Sequence, residues 1–319
     1  MNPKNLIIVF LTIFLSAHLF AQKMEPDTTL KYADRDTCSL YMDIYEPDAE
    51  MSVSKDGKQR PTIIHIFGGG FKEGSREEVW LRPWFREMNA KGYRMITIDY
   101  RLGLKNVFGI SISEFARRLK NAIDIAVEDL FSATVYLIEN GKSLGINPDN
   151  LILSGSSAGA ITAQQAELEI CNRSLMTSVL PSGFNYKGIM AFAGAVIADG
   201  ALCYAEMPCP IMMFHGSEDE LVPYDIIKSE TASFFGPCQI QKSLNDAGTS
   251  CRFYRFPGIN HAVAGYMPQT VNKQVDFIEQ NVMRGSKESV DAEISDPSLP
   301  TYKTENNNRL YGLQPDAKD

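Results

Sequence analysis

The chain has 319 residues and a formal net charge of −8, with 44% hydrophobic and 22% charged residues. This composition is ordinary for a soluble globular protein, and α/β proteins of this length often form one domain. The charge is mildly acidic and no large block of basic residues occurs, which argues against a nucleic-acid partner.

The first 21 residues are typical of a secretory signal peptide. Lys4 supplies a positive start, residues 6–15 are almost wholly apolar, and Ala21 is a small residue suited to the cleavage site. The apolar run is shorter than the ~20 residues needed to span a bilayer, which argues against the alternative of a membrane anchor. We therefore expect cleavage near Ala21 and an exported protein, periplasmic or secreted, without membrane attachment afterwards.

Strand and helix patterns alternate along the rest of the chain. An antiparallel pair of strands is predicted within residues 30–47, with its turn at 34–36. Continuous apolar runs predict further strands at 61–67, 93–100, 151–154, 188–194, 210–214 and 252–256. Helices are predicted at 75–91, 112–141, 158–170, 224–235, 238–247 and 266–283. The alternation indicates a mostly parallel sheet covered by helices on both faces.

Two serines are candidate N-caps of these helices. Ser75 with Glu78 fits a capping box for the helix at 75–91, and Ser113 is available for the next helix. Trp80 and Trp84 lie four residues apart in the first of these helices. That spacing is typical of a packed helix face, so we expect both indole rings in the core.

From about residue 285 the chain is dominated by polar residues with scattered Leu and Tyr. Such a segment is either disordered or lies over the surface, and we do not count it as a domain. The predicted organisation is therefore a signal peptide at 1–21, a catalytic domain at 22–284 and a polar tail at 285–319.

Six cysteines follow the signal peptide, and an even number in an exported protein permits disulfides. The sequence cannot choose among the 15 possible pairings of six thiols, and buried thiols or one or two bridges are expected. No His/Cys cluster has the spacing of a zinc site, so we expect no metal and no other cofactor. The six residues are Cys38, Cys171, Cys203, Cys209, Cys238 and Cys251.

The stretch Gly155-Ser156-Ser157-Ala158-Gly159 joins a predicted strand to a predicted helix. The pattern G-x-S-x-G in that context is typical of a nucleophilic serine held in a strained turn. A glycine-serine turn without catalytic function is the alternative for the pentapeptide alone. We assign Ser157 as the candidate nucleophile.

A serine nucleophile needs a base, and a catalytic imidazole needs a carboxylate that fixes its tautomer. Three histidines remain after the signal peptide: His65 lies inside a buried strand, whereas His215 and His261 follow strands. We expect His65 to be a hydrogen-bonded core residue and His215 to hold its own loop, which leaves His261 as the base. Asp219 follows a strand and precedes His261, so it is the candidate carboxylate.

Neighbouring acids are weaker candidates for that role. Glu218 and Glu220 are expected on the solvated surface, and Asp199 lies in a short loop after an earlier strand. The oxyanion that forms during acyl transfer also needs hydrogen-bond donors. The Gly68-Gly69-Gly70 run ends the first core strand, and Ala158 follows the serine, so backbone N–H groups are available from both segments.

Together these motifs resemble those of the α/β-hydrolases of the carboxylesterase and lipase group, and most of all small exported bacterial esterases of the feruloyl and acetyl-xylan type. The resemblance covers residues 30–283 and implies an α/β-hydrolase fold with a mostly parallel eight-stranded sheet. It also implies Ser157, Asp219 and His261 as the triad, and Gly69, Gly70 and Ala158 as oxyanion donors. The group often has His before the glycine run, where this chain has Phe67. The motifs are Phe67-Gly-Gly-Gly-Phe71, Asp99-Tyr-Arg-Leu102, Gly155-Ser-Ser-Ala-Gly159, His215-Gly-Ser-Glu-Asp219 and Asn260-His261.

We therefore expect an exported serine carboxylesterase that acts on small or carbohydrate-linked esters. The segments at 171–183 and 194–210 are too short for a large lid, which predicts an open site. The sequence leaves open a peptidase or acyltransferase with the same triad, or a binding module without activity. Aromatic residues that could contact a sugar or aryl group are Phe71, Trp80, Trp84, Phe184, Tyr204 and Tyr266.

Overall fold

The computed structural model describes residues 25–47, 51–54, 57–228, 232–301 and 306–316. The predicted signal peptide at 1–21 lies outside these ranges. Within them, none of the helices combines the length and apolar character that crossing a bilayer demands.

Nine strands form the main sheet, in the spatial order β1-β2-β4-β3-β5-β6-β8-β11-β12. Strand β2 pairs antiparallel with both β1 and β4, and all other neighbours in this sheet are parallel. The bounds are β1 (Thr28–Arg35), β2 (Cys38–Tyr45), β3 (Thr62–Ile66), β4 (Met95–Ile98), β5 (Leu151–Ser156), β6 (Gly188–Phe192), β8 (Ile211–Gly216), β11 (Cys251–Phe256) and β12 (Val290–Glu293).

A second, antiparallel sheet contains three short strands in the order β7-β10-β9. They are β7 (Val196–Ala198), β9 (Ile226–Lys228) and β10 (Ser233–Phe235). The α-helices are α1 (Arg82–Ala90), α2 (Ile112–Leu144), α3 (Ala158–Cys171), α4 (Pro237–Asp246), α5 (Val271–Phe277) and α6 (Asn307–Leu310). Helix α5 continues as a π-helix over Ile278–Met283, and short 3-10 turns occur at Val79–Leu81, Pro148–Asn150, Leu175–Val179, His261–Gly265 and Pro268–Thr270.

The main sheet separates two hydrophobic clusters. One contains residues of α2, α3 and α4, and the other contains residues of α1 and α5. Successive side chains of a strand point to opposite faces of the sheet. Ile63 of β3 therefore belongs to the second cluster and its neighbour Ile64 to the first. The predicted mostly parallel sheet with helices on both faces is confirmed, with nine strands rather than eight because β12 extends its edge.

Three predicted helices differ from the structure. The helix predicted at 224–235 is wrong over its described residues, since Ile226, Ile227 and Phe234 belong to strands β9 and β10, where β-branched and aromatic side chains are favoured. Helix α1 begins at Arg82 rather than 75, because Pro83 fits the first turn of a helix but not its interior. In the segment predicted at 266–283, the α-helix begins only at Val271.

The predicted caps also differ. Ser75 Oγ accepts a hydrogen bond from Glu77 N (3.2 Å) in a turn that precedes the helix. Helix α2 is capped by Ser111, whose hydroxyl accepts from Glu114 N at 3.3 Å. All six cysteines are free thiols in the structure, with Cys171, Cys209 and Cys251 buried.

His65 is a core residue, as expected. Its side chain is fully buried in β3, with Nδ1 3.3 Å from Ser154 Oγ and the ring edge-on to Trp84 at 5.0 Å. Burial lowers the pKa of His65 to about 3, because a charged imidazolium would lose its hydration without gaining a counter-ion.

Acidification should therefore weaken the fold through His65. Between pH 6.5 and 3 the unfolded imidazole binds a proton that the folded one does not, so stability is lost as the pH falls. The free energy of unfolding can be measured in urea at pH 7 and at pH 5. Between these pH values it should fall by about 2 kcal/mol more in the native chain than in His65→Gln. Equal losses in the two proteins would contradict a neutral, buried His65.

Candidate active site

Ser157 occupies a sharp turn between β5 and α3. Its backbone has φ 50° and ψ −115°, a positive-φ conformation that residues with a side chain rarely adopt. A Cβ atom at Gly155 would lie 2.3 Å from the carbonyl carbon of Gly159, and one at Gly159 would lie 2.0 Å from the carbonyl oxygen of Ile66. Gly155 is therefore required by its contact with the start of helix α3, and Gly159 by the packing of that helix against the end of β3.

His261 contacts Ser157 directly. Its Nε2 lies 2.8 Å from Ser157 Oγ, and the residue opens a 3-10 turn that follows β11. Asn260 caps this turn, because its side-chain oxygen accepts from Ala262 N at 3.0 Å. The Ser156 hydroxyl donates to Ala264 O (2.7 Å), which ties the same turn to the end of β5.

Asp219 lies on the other side of the imidazole, with Oδ2 2.7 Å from His261 Nδ1. Its second oxygen accepts hydrogen bonds from the backbone N–H groups of Leu221 (2.9 Å) and Val222 (3.0 Å). Burial alone would raise the pKa of this carboxyl, but hydrogen bonds from His215 and His261 outweigh it and lower the pKa below its ordinary value. The group is therefore a carboxylate near neutral pH.

The contacts of His261 define its tautomer. Nδ1 faces a carboxylate and must carry the hydrogen, so Nε2 has a free lone pair directed at the Ser157 hydroxyl. That pair can accept the serine proton when Oγ forms a bond to an electrophile.

A second imidazole contacts the same carboxylate. His215 Nε2 lies 3.3 Å from Asp219 Oδ2 and 3.2 Å from Val222 O. Because both neighbours are acceptors, this nitrogen carries the hydrogen, and His215 fastens the loop that holds Asp219. Glu218 and Glu220 are exposed as expected, and the exposed Asp199 lines a different cavity.

The glycine run that follows β3 lies against Ser157. A Cβ atom at Gly68 would be 3.4 Å from Ser157 Cβ, and Gly69 and Gly70 have φ of 103° and 61°. The backbone N–H groups of Gly69 and Gly70 have no acceptor within the described ranges. The N–H of Ala158 belongs to the first turn of α3, where intrahelical acceptors are absent.

Tyr100 holds the glycine run in place, and the sequence analysis missed this role. Its hydroxyl donates to the carbonyl oxygens of Phe67 (3.0 Å) and Gly68 (3.3 Å), and its ring stacks on Phe67 at 4.3 Å. The signal was present in the motif Asp99-Tyr-Arg-Leu102, from which no site residue was predicted. The neighbouring residues of this motif form ion pairs: Asp99 with Arg76 at 2.7 Å, and Arg101 with Asp129 at 2.8 Å.

The serine opens into a cavity of about 510 Å³. Apolar side chains from several elements line much of it, and charged side chains lie in the segment after the glycine run. The apolar residues are Phe71, Leu104, Phe115, Leu119, Ile161 and Phe234, and the charged ones are Lys72, Glu73 and Glu78.

Trp80 also lines this cavity with 47% of its surface exposed, so its predicted place in the core was wrong. It precedes helix α1, whereas Trp84 lies inside the helix and is fully buried, with Nε1 2.8 Å from Gln274 Oε1. Of the other aromatic candidates only Phe71 lines the cavity. In the part of the chain that the structure describes, no cluster of His, Cys, Asp and Glu could hold a metal ion.

The polar tail forms one wall of the cavity, which the sequence analysis did not predict. Asn307, Leu310 and Tyr311 line it, although residues 285–319 were expected to be disordered or to lie over the surface. The signal was the group of apolar residues at 310–313 within an otherwise polar segment.

Comparisons with known proteins find similar chains among esterases. The family model described as BD-FAE matches residues 42–196. The chain is 30% identical to mouse carboxylesterase 5A over 158 residues, which are 50% of this chain and 24% of that protein. It is 31% identical to the juvenile hormone esterase of Heliothis virescens over 125 residues, 39% of this chain and 21% of that one. The chain thus spans about a quarter of the length of these relatives.

Among solved structures, the apo form of Thermogutta terrifontis esterase 2 is similar in fold. The TM-score is 0.56 at 19% sequence identity, over 79% of this chain and 94% of that one. The resemblance to α/β-hydrolases of the carboxylesterase group, first drawn from the motifs, is confirmed.

The glycine run offers a direct test of the site. In Gly69→Ala the new Cβ would lie 2.1 Å from Glu73 O at a φ of 103°, so the loop must move. If this loop supplies oxyanion donors, kcat for an aryl acetate should fall by roughly 10²–10³-fold. Gly183→Ala is the matched control, since its φ of 76° is also positive but no atom lies within 4 Å of the new Cβ. Equal activity of the two variants would exclude a role for Gly69.

Proposed function

We propose that this chain, which has the fold of an α/β-hydrolase and is similar in sequence to carboxylesterases, hydrolyses carboxylic esters through an acyl-enzyme formed on Ser157. The observation that carries this proposal is the continuous chain of contacts from Ser157 Oγ through His261 to Asp219, at 2.8 and 2.7 Å. The Asp219 carboxylate is therefore adjacent to the imidazole that it orients, and that imidazole is adjacent to the Ser157 hydroxyl whose proton it accepts.

In the first half-reaction Ser157 Oγ attacks the ester carbonyl carbon while its proton passes to His261 Nε2. The carbonyl π electrons move to oxygen, and the N–H groups of Gly69, Gly70 and Ala158 stabilise the oxyanion. When the intermediate collapses, the bond to the alcohol oxygen breaks and His261 returns the proton to that oxygen. The alcohol leaves, and the acyl group stays on Ser157.

In the second half-reaction water takes the place of the alcohol. His261 removes a proton from the water while the water oxygen attacks the acyl carbon. When the second intermediate collapses, the bond between the acyl carbon and Ser157 Oγ breaks, His261 returns the proton to Oγ, and the acid leaves. Asp219 keeps Nδ1 protonated and stabilises the imidazolium that forms in each half-reaction. The lowered pKa of Asp219 supports this role, because the carboxylate stays charged beside the cation.

We further propose that the ester is carried by a carbohydrate. Trp80 offers an aromatic face at the cavity, and Lys72, Glu73 and Glu78 lie in the same segment. Sugars present both C–H faces that pack on aromatic rings and hydroxyl groups that bond to charged side chains. The apolar part of the cavity suits an acyl group.

We also propose export as the setting of this activity, on the signal-like pattern from Lys4 to Ala21. Cleavage after Ala21 would leave Gln22 as the first residue, which mass spectrometry of the protein purified from its own source would detect. A mature protein that retains residues 1–21 would contradict cleavage.

Removal of the serine hydroxyl tests the reaction. The purified chain should hydrolyse an aryl acetate and be labelled by a fluorophosphonate, whereas Ser157→Ala should lose both, with turnover reduced by at least about 10⁴-fold. Ser154→Ala is the matched control, because that hydroxyl lies in β5, contacts His65 of the neighbouring β3 and takes no part in the proposed reaction.

The outcomes separate the competing functions. A native chain that is neither labelled nor active on short aryl esters would favour a binding module on the hydrolase fold. Labelling at Ser157 together with cleavage of amides, or with acyl transfer to an alcohol in place of water, would favour the peptidase or acyltransferase.

The carbohydrate proposal has its own test in Trp80. Trp80→Ala should raise KM for an acetylated oligosaccharide about fivefold, since loss of an aromatic contact costs roughly 1 kcal/mol. Activity on an aryl acetate should change by less than about twofold. Leu175→Ala, which removes a side chain that is 89% exposed, is the control. An equal effect on both substrates would contradict a sugar contact at Trp80.

A further inference from the structure

We propose that residues 306–316, the capping segment, form a fixed wall of the cavity, and that Leu310 and Tyr311 limit the length of the acyl group that the cavity accepts. This inference rests on the proposed ester hydrolysis. It assigns to two residues of the polar tail a role in selecting the substrate.

The capping segment is fastened at its first end to the loop that holds Asp219. Asn307 Nδ2 donates to Leu221 O at 2.9 Å, and Leu221 N in turn donates to the Asp219 carboxylate. Asn306 caps the short helix α6 by accepting a hydrogen bond from Arg309 N at 3.1 Å. The segment thus starts beside the candidate triad.

At its other end the capping segment is fastened to the start of helix α2. Gln314 forms two backbone hydrogen bonds with this region. Its N–H donates to Ile110 O (2.9 Å), and its carbonyl oxygen accepts from Ile112 N (3.0 Å). Asp316 accepts from both the backbone N–H and the hydroxyl of Ser113, at 3.1 and 2.5 Å. Two separate anchors therefore hold the segment across the cavity.

Between these anchors, Tyr311 is buried within the wall. It is 7% exposed, and its ring lies 5.1 Å from the ring of Phe115 and 5.1 Å from the Lys72 ammonium. The hydroxyl lies 3.3 Å from where a Cβ atom on Gly70 would stand, so it approaches the proposed oxyanion loop. Any group that extends from the reacting carbonyl past Gly70 meets this ring.

Leu310 and Tyr311 line the cavity together with apolar side chains of other elements. Phe115, Leu119 and Ile161 line the same cavity, and none of them can hydrogen-bond to a sugar. An alkyl or aryl acyl group gains free energy by burying its surface there, whereas a carbohydrate would lose hydration. The capping segment is therefore expected to close the acyl side.

Acyl-chain selectivity tests the proposal. The ratio of kcat/KM for p-nitrophenyl octanoate to that for p-nitrophenyl acetate should rise about tenfold in Leu310→Ala and in Tyr311→Ala. Tyr311→Phe retains the ring, and Leu313→Ala alters a side chain of the same segment that does not line the cavity, so both should keep the native ratio. Ratios within twofold of the native value in both alanine variants would overturn the proposal.

A substitution that narrows the cavity gives an independent measurement. Leu310 is 40% exposed, so Leu310→Trp should be tolerated by the fold and should lower the octanoate-to-acetate ratio by at least about fivefold. An unchanged ratio would also overturn the role of Leu310. The native chain distinguishes the two possible failures. If the proposed ester hydrolysis is wrong, the native chain turns over neither ester. If only this inference is wrong, the native chain turns over the acetate and the variants keep the native octanoate-to-acetate ratio.

Discussion

The site depends on the close approach of helix α3 to the end of strand β3. At Gly159 the two backbones are so near that a Cβ atom would stand 2.0 Å from Ile66 O. The same approach forces Ser157 into a positive φ, since the chain must reverse within one residue between strand and helix. It also brings Gly68, two residues beyond Ile66, against the serine side chain. This one packing contact therefore positions both Ser157, the candidate nucleophile, and the glycine run.

The second constraint is electrostatic, and it concerns the buried carboxylate of Asp219. A charge without water must be compensated by several hydrogen bonds, or it would be neutralised by a proton. Here two imidazoles and two backbone N–H groups compensate it, and one of the imidazoles belongs to His215. The loop must keep its shape for these bonds to persist, so the orientation of His261 is coupled to the fold of the whole loop.

Much of the fold and the central residues of the site could be predicted because their signals are local. The turn around Ser157 requires small residues at fixed positions, and parallel strands are buried apolar runs. The predictions failed where a distant partner decides the conformation. Strand β10 forms because β7 and β9 are available to pair with it on either side. Trp80 is exposed because Pro83 delays the helix that was expected to bury it. The position of Tyr311 depends on contacts with Gly109 and Phe115, about 200 residues away in sequence, which no local pattern records.

The glycine run is held in place although Phe67, rather than a histidine, precedes it. The carbonyl oxygens of Phe67 and Gly68 accept from Tyr100, and that of Gly69 accepts from the N–H groups of Lys72 and Glu73 at 3.2 and 3.1 Å. The loop is therefore held through its carbonyl groups by donors from elsewhere, and a histidine before the glycines is not needed to brace it. These bonds use the carbonyl groups only, and the N–H groups of Gly69 and Gly70 have no acceptor within the described ranges. Unpaired donors beside a nucleophile are costly for folding alone, and an oxyanion bound there would satisfy them.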